Sequence, residues 1–371
     1  MEYTTSDIHQ QAYNRACAKA RFRLHRHQPQ DLQTTMRILA QNTQALDEAD
    51  YYGQGALIND FEQQVAGLLG KPAGVFMPSG TLAQPLALRI WADKAGYSTV
   101  ALHPTSHLVL HEQDGYQKLW NLSGKLWGDE DDIPTLEALQ ALHQTQPLAA
   151  VLIELPMREL GGVLPSWQSL NDLTHWARAQ GIKTHLDGAR LWQCSAAYHK
   201  NLAEIAALFD SVYVSFYKDL GGLAGAMLLG DTDFTQQARS WQRRAGGNLH
   251  TQAPFVLAAR LGMQTHLLQM AERHQQALWL AGQLNTLPGV STLPTVPHTS
   301  MFRLQINIKP EHFFKRACQW VNEQGVALIP PPYSVSQQHL RAEISIGDAF
   351  SALTRDTWAA HLNAFSKAVL E

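Results

Sequence analysis

From about residue 56 the chain alternates helix-like stretches with short runs of consecutive apolar residues: GVFMP (74–78), TVALH (99–103), AAVLIEL (149–155), IKTHLD (182–187), SVYVSF (211–216) and AGAMLLG (224–230). Helical spacing fills the intervals, as over 135–143 and 170–180. A strand with one wet face alternates polar and apolar positions, whereas these runs are apolar throughout. They therefore predict strands covered on both faces, and the helices between them predict a mainly parallel sheet. In such sheets chemistry gathers at the carboxyl ends of the strands. A longer helical pattern over 254–287 stops at Pro288-Gly289. Beyond it lie MFRLQINI (301–308), a helix near 310–325, the Pro330-Pro331-Pro332 break and LRAEISIG (340–347), a second and smaller α+β domain. The expected division is a basic N-terminal arm or helix over 1–40, a large α/β domain over 41–255 and a small domain over 256–371, without internal repeats.

Composition narrows the function classes. Of 371 residues 45% are apolar and 16% charged, which supports a well-covered interior and argues against disorder. The chain exceeds the size at which one core usually suffices. Lys and Arg number 29 against 32 Asp and Glu, a net −3 that excludes a generic nucleic-acid binder. The segment from Ile8 to Gln30 holds no acid while carrying Arg15, Lys19, Arg21, Arg23, Arg26, His25 and His27. It reads as a solvated helix or an arm on a partner subunit, with contact to an anionic polymer as the alternative. Cys17, Cys194 and Cys318 are widely spaced and odd in number, so a disulfide framework or zinc ribbon is not expected and a reducing cytosol is. MEYTTSDIHQ shows no apolar leader region, and no stretch reaches the roughly 18 apolar residues of a membrane span, so the expected location is cytoplasmic.

Three places carry candidate chemistry. IKTHLD delivers Asp187 to the end of a strand, and Gly188-Ala189 turn the chain towards Arg190. SVYVSF runs into Lys218, and a lysine leaving an apolar strand is desolvated, which lowers its pKa and frees a nucleophilic amine. GVFMP ends at Pro78, after which Ser79, Gly80 and Thr81 open a helix whose amides and hydroxyls suit an anion. His103, His107 and His111 recur every four residues, but Pro104 and the segment Leu108-Val109-Leu110 indicate a turn, and no cysteine or acid completes a zinc set, so no metal site is expected.

An anion cup, an aspartate, an arginine and a strand-end lysine together describe a pyridoxal 5′-phosphate (PLP) pocket. HLDGAR (185–190) followed by SFYKDLGGLAGAML (215–228) resembles the threonine aldolase and aromatic β-eliminating lyase group of fold type I PLP enzymes. PSGT (78–81), YGQGALINDFE (52–62), SHLVLHE (106–112), GG (161–162) and AGGNLH (245–250) support it in the family's order. The resemblance implies that Lys218 binds PLP covalently and that Asp187 sits against the ring nitrogen, keeping it protonated so that the ring accepts electrons. It implies cofactor contacts from Ser79, Gly80, Thr81, Arg190 and Ser215, with His107 flat on the ring. Arg190, Arg341 of LRAEISIG and Tyr52 would meet the substrate, a planar guanidinium suiting its carboxylate. It further implies a homodimer or homotetramer in which Tyr52 and the 243–250 loop reach across.

The chain departs from the family pattern in specific places. The run after the family's glutamate, usually Asn-Thr-His-Asn, is Leu155-Pro156-Met157-Arg158 here, so methionine replaces a histidine close to the substrate hydroxyl. The usual N-terminal Asp-Leu-Arg-Ser-Asp-Thr signature is absent, Asp219 follows the lysine where glycine is usual, and His250 replaces an arginine. The leading expectation is aldol cleavage of a β-hydroxy-α-amino acid, threonine or a bulkier analogue, to glycine and an aldehyde. Met157 leaves the hydroxyl proton to His107, to a water, or to electrostatic help from Arg158. β-Elimination on the same cofactor is the alternative, since fold and cofactor anchors do not choose the bond. A non-catalytic PLP-binding protein is the rival of a different class.

Overall fold

The computed structural model describes residues 5–371, with side chains from Ile8 onward. Residues 1–4, on which the leader expectation partly rests, lie outside the described residues. The chain forms two compact units: a large one of Gln30–Leu160 with Leu164–Gln269, and a small one of the residues up to Pro29, Gly161–Val163 and Met270–Glu371. Among the described residues no helix is long and apolar enough to cross a membrane.

The large unit is built on seven strands: β1 (Ala73–Met77), β2 (Thr99–Leu102), β3 (Ser123–Leu126), β4 (Ala150–Glu154), β5 (Lys183–Gly188), β6 (Ser211–Ser215) and β7 (Ala226–Gly230). They lie in the order β1-β7-β6-β5-β4-β2-β3. Only β7 runs against its neighbours β1 and β6; the other pairings are parallel. The helix Gly80–Ala95 lies across one face, burying Leu86, Ile90 and Trp91 among Val100, Leu102, Leu152 and Leu228. On β1, Phe76 instead stacks on Phe216 at 5.9 Å, and Phe216 meets Phe61 of the helix Ala56–Leu68 at 5.2 Å. Six of the strands are the apolar runs seen in the sequence. The seventh, β3, is the edge strand SGKL, half-exposed and too polar to show as such a run.

The small unit carries a four-stranded antiparallel sheet, with Leu340–Ser345 and Met301–Ile306 central and Ser334–Val335 and Val290–Leu293 at the edges. Two features differ from the sequence expectation. The 254–287 pattern is two helices, Ala253–His266 and Met270–Leu284, joined by the turn Leu267–Gln269, so the units part there rather than at 255. The apolar text LLQM runs through the turn and conceals it.

The N-terminal segment is a helix packed along one stripe rather than a solvated one. Its helix Thr5–Lys19 lies along Pro310–Gln324. Tyr13 is fully buried, 5.5 Å from Phe313 and 5.9 Å from Phe314, and its hydroxyl donates to the carbonyl of Ile329. Phe22–Arg23 then pairs in parallel with Val326–Ala327. Tyr13, Ala16 and Cys17 form a helical stripe inside the basic run, and burying that stripe outweighs the solvation of the charges around it.

Candidate active site

β1, β2, β4, β5 and β6 point the same way, so their carboxyl ends share one edge of the large unit. That edge carries Ser79, His107, Glu154, Asp187 and Ser215, and Lys218 follows three residues after β6. Asp187 is 1% exposed, and its Oδ1 accepts from the amide of Ala189 at 3.1 Å. Gly188 is needed beside it: a Cβ there would lie 2.5 Å from the carbonyl oxygen of Tyr213 on β6. Fully buried Ser215 ends β6, where its carbonyl accepts from Trp192 Nε1 at 2.8 Å.

Glu154 stands opposite Asp187 in the β4–β5 register. Burial, then the Asp187 charge, push its carboxyl up to about 8, although its Oε1 accepts from the Arg158 amide at 3.2 Å and Arg190 and Lys218 favour its charged form. Burial also lowers the Lys218 amine, and Arg190 lowers it further, while Asp187, Glu154 and Asp219 act against that. Asp187, Glu154, Arg190 and Lys218 thus share a single electrostatic neighbourhood, with Asp219 also acting on the amine. Asp219, unusual after the lysine, is held by Gln193 Nε2 at 2.7 Å. Nothing in the sequence marks out Glu154, because a glutamate ending a strand is unremarkable until its neighbour across the sheet is known.

The raised carboxyl of Glu154 makes stability depend on pH. Its ordinary value is 4.5, so between that and about 8 the folded cofactor-free protein holds a proton that the unfolded chain has lost. Stability is therefore unaffected by this group below the window and falls as pH rises through it. Thermal melts across the window should decline for wild type and flatten for Glu154→Gln. Parallel declines would show that another group titrates.

The expected anion cup lies at the start of the helix Gly80–Ala95. Ser79 Oγ accepts from the Leu82 amide at 3.2 Å and keeps its own proton to donate, while Thr81 is exposed. A Cβ on Gly80 would lie 2.1 Å from Oη of Tyr213, a side chain too buried to retreat. Gly80→Ala should cost about 1–3 kcal/mol by overpacking and weaken cofactor affinity, which a melt and a PLP titration would measure. Unchanged melting would mean that Tyr213 yields.

The three histidines have separate partners. His103 Nδ1 meets Thr105 Oγ1 at 2.7 Å, His107 Nδ1 meets Glu112 Oε1 at 3.0 Å, and His111 Nε2 meets Glu159 Oε1 at 3.0 Å. Glu159 also accepts from Arg158 Nη1 at 2.8 Å. Met157 is buried. Tyr52 has a left-handed backbone, φ 51°, and its exposed ring lies 5.3 Å from His250, whose carbonyl accepts from the Tyr52 amide at 2.9 Å. Asp50 anchors this corner, its Oδ1 accepting from Thr251 Oγ1 at 2.8 Å and from the Gln252 amide at 2.6 Å.

The family model for beta-eliminating lyases matches residues 32–307, most of the chain. The chain belongs to the beta-eliminating lyase family. Among solved structures, this lyase is similar to a putative L-allo-threonine aldolase from Listeria monocytogenes. That match has 38% identity and a TM-score of 0.93, and covers 97% of this chain and 99% of the other. A putative aromatic amino acid beta-eliminating lyase/threonine aldolase from Exiguobacterium is likewise 38% identical, with a TM-score of 0.92 over 96% and 99% of the two chains. The aldolase vrtJ of Penicillium aethiopicum is 30% identical over 298 residues, 77% of this chain and 75% of its own.

Members of this family are PLP-dependent lyases of fold type I, and so is this chain. The donor set fits the cofactor. A desolvated amine faces two carboxylates and a guanidinium, and Ser106 Oγ is buried on the same edge with no hydrogen-bond partner. Arg341 belongs to the small unit, where it is exposed on its strand and its Nε donates to Gln305 Oε1 at 3.1 Å.

Proposed function

We propose that this lyase splits a β-hydroxy-α-amino acid between Cα and Cβ, releasing glycine and an aldehyde, with threonine or allo-threonine as the default substrate. One observation carries the reading. The Lys218 amine lies among Asp187, Glu154 and Arg190 in a chain whose 38%-identical Listeria relative is named a putative L-allo-threonine aldolase.

When bound, PLP supplies a ring that accepts the electron pair left on Cα. Lys218 supplies the amine that binds it, made nucleophilic by burial and by Arg190. Asp187 holds the proton on the ring nitrogen, and Ser79, Gly80, Thr81 and Ser215 grip its polar groups. Arg190 orients the substrate carboxylate, which decides the Cα bond that stands ready to break. Met157 cannot take a proton, so His107 receives the one on the Cβ hydroxyl. Tyr52 and the 243–250 loop complete the site of a neighbouring subunit in a homodimer or homotetramer, which sizing of the active enzyme tests. The free thiols of Cys17, Cys194 and Cys318 suit a cytoplasmic enzyme.

Threonine, allo-threonine and phenylserine distinguish the reactions. Glycine with the matching aldehyde is the expected product of at least one. Ammonia with a keto acid, and no aldehyde, would establish β-elimination instead.

A further inference from the structure

We propose that Glu112 is a positioning residue that fixes His107 as its Nδ1-protonated tautomer and so leaves Nε2 as the basic nitrogen. The inference rests on the proton-accepting role given to His107 above.

The geometry is that of an acid behind an imidazole. Glu112 Oε1 lies 3.0 Å from His107 Nδ1, the Glu112 side chain is 2% exposed, and the His107 side chain is 35% exposed. The carboxylate is thus interior to the ring and the ring reaches outward. An ionised carboxylate only accepts, so a neutral imidazole bonded to it carries its hydrogen on Nδ1 and its lone pair on Nε2. Glu112 Oε2 is buried with no partner, so its contact with His107 is a main compensation for its lost hydration. That gives the carboxylate a strong preference for the tautomer that donates to it.

The neighbouring histidines are built differently. The Nε2 of His111 is taken by Glu159, which Arg158 also engages, and His103 is buried with Nδ1 on a threonine hydroxyl. His111 stands 5.1 Å from His107, ring to ring, as its titratable neighbour on the same short helical segment. Of the three, only His107 meets its carboxylate through Nδ1, which leaves Nε2, at the far end of a partly exposed ring, for the basic role.

The step balances. The Cβ hydroxyl proton passes to Nε2, and the O–H electron pair becomes the second C–O bond of the aldehyde. The Cα–Cβ pair remains on Cα, which is later protonated to give glycine. Glu112 stays ionised and stabilises the imidazolium that forms, the same division of labour that an acid–histidine pair performs in other enzymes.

Long-range 1H–15N spectra of histidine-labelled protein, with and without PLP, read the tautomer directly, and His107→Asn assigns the signal. Wild type should show Nδ1–H for His107. Glu112→Gln should lose that preference and lower kcat about 10²-fold while KM changes less than about threefold, and Glu112→Asp should recover part of both. An Nε2–H signal for His107 in wild type would overturn the inference whether or not any variant folds. So would an unchanged tautomer and kcat in Glu112→Gln. A tautomer switch with wild-type kcat, seen also in His107→Asn, would uphold the positioning contact and remove His107 as the base.

Discussion

Lys218→Ala should abolish the visible absorbance of the bound cofactor, leave no borohydride-fixed adduct and reduce turnover at least ~10³-fold. The amine is depressed by burial first and by the Arg190 charge second, so more of it is neutral near pH 7 than for a solvated lysine. Alanine removes both the proposed covalent anchor and a group able to carry protons, while leaving β6 and its contacts intact. Melting of the cofactor-free variant should match or exceed wild type, since a half-buried charge has been taken away. A variant that kept the wild-type spectrum and a reducible adduct would show that another amine holds the cofactor.

Asp187→Asn should move activity and stability in opposite directions. The amide keeps an acceptor for the Ala189 N–H but carries no charge to hold a protonated ring nitrogen. A charge-assisted hydrogen bond is worth about 1.5–3 kcal/mol, so kcat should fall by roughly 10- to 150-fold, and further in a dry pocket. The same change removes the charge that, after burial, most raises the Glu154 carboxyl. Glu154 then ionises at lower pH and at less cost, and the cofactor-free variant should melt higher than wild type near pH 8. Activity within about threefold of wild type would sink the role given to Asp187, and unchanged melting would uncouple the two acids.

The legible part of this fold was what apolar continuity writes into a sequence. Buried parallel strands need apolar residues on both faces, such as adjacent Leu152 and Ile153, and those strands were visible. The edge strand over Ser123–Leu126 has little to bury and left no trace. The stripe of Tyr13, Ala16 and Cys17 was masked because a charge run draws attention to its solvated positions and not to the spacing between them. At the site, Lys218, Asp187 and Arg190 announced themselves by following strands, and the structure brings them together. Glu154 depends on a neighbour one strand away, and Glu112 on the turn that ends the short helix His107–Leu110. Sequence spacing records neither.

The hydrogen bond from Tyr13 to Ile329 closes a separation of 316 residues. At ~5–20 residues per second of translation, the opening helix leaves the ribosome roughly 15–60 s before its docking partners exist. Its apolar stripe must wait in the open or on a chaperone until the segment from Phe313 to Ile329 arrives. Tags and truncations at the amino end would then act on the last event of assembly, so losses they cause should appear as nascent chains that never mature, with the sheet bearing the lysine already formed.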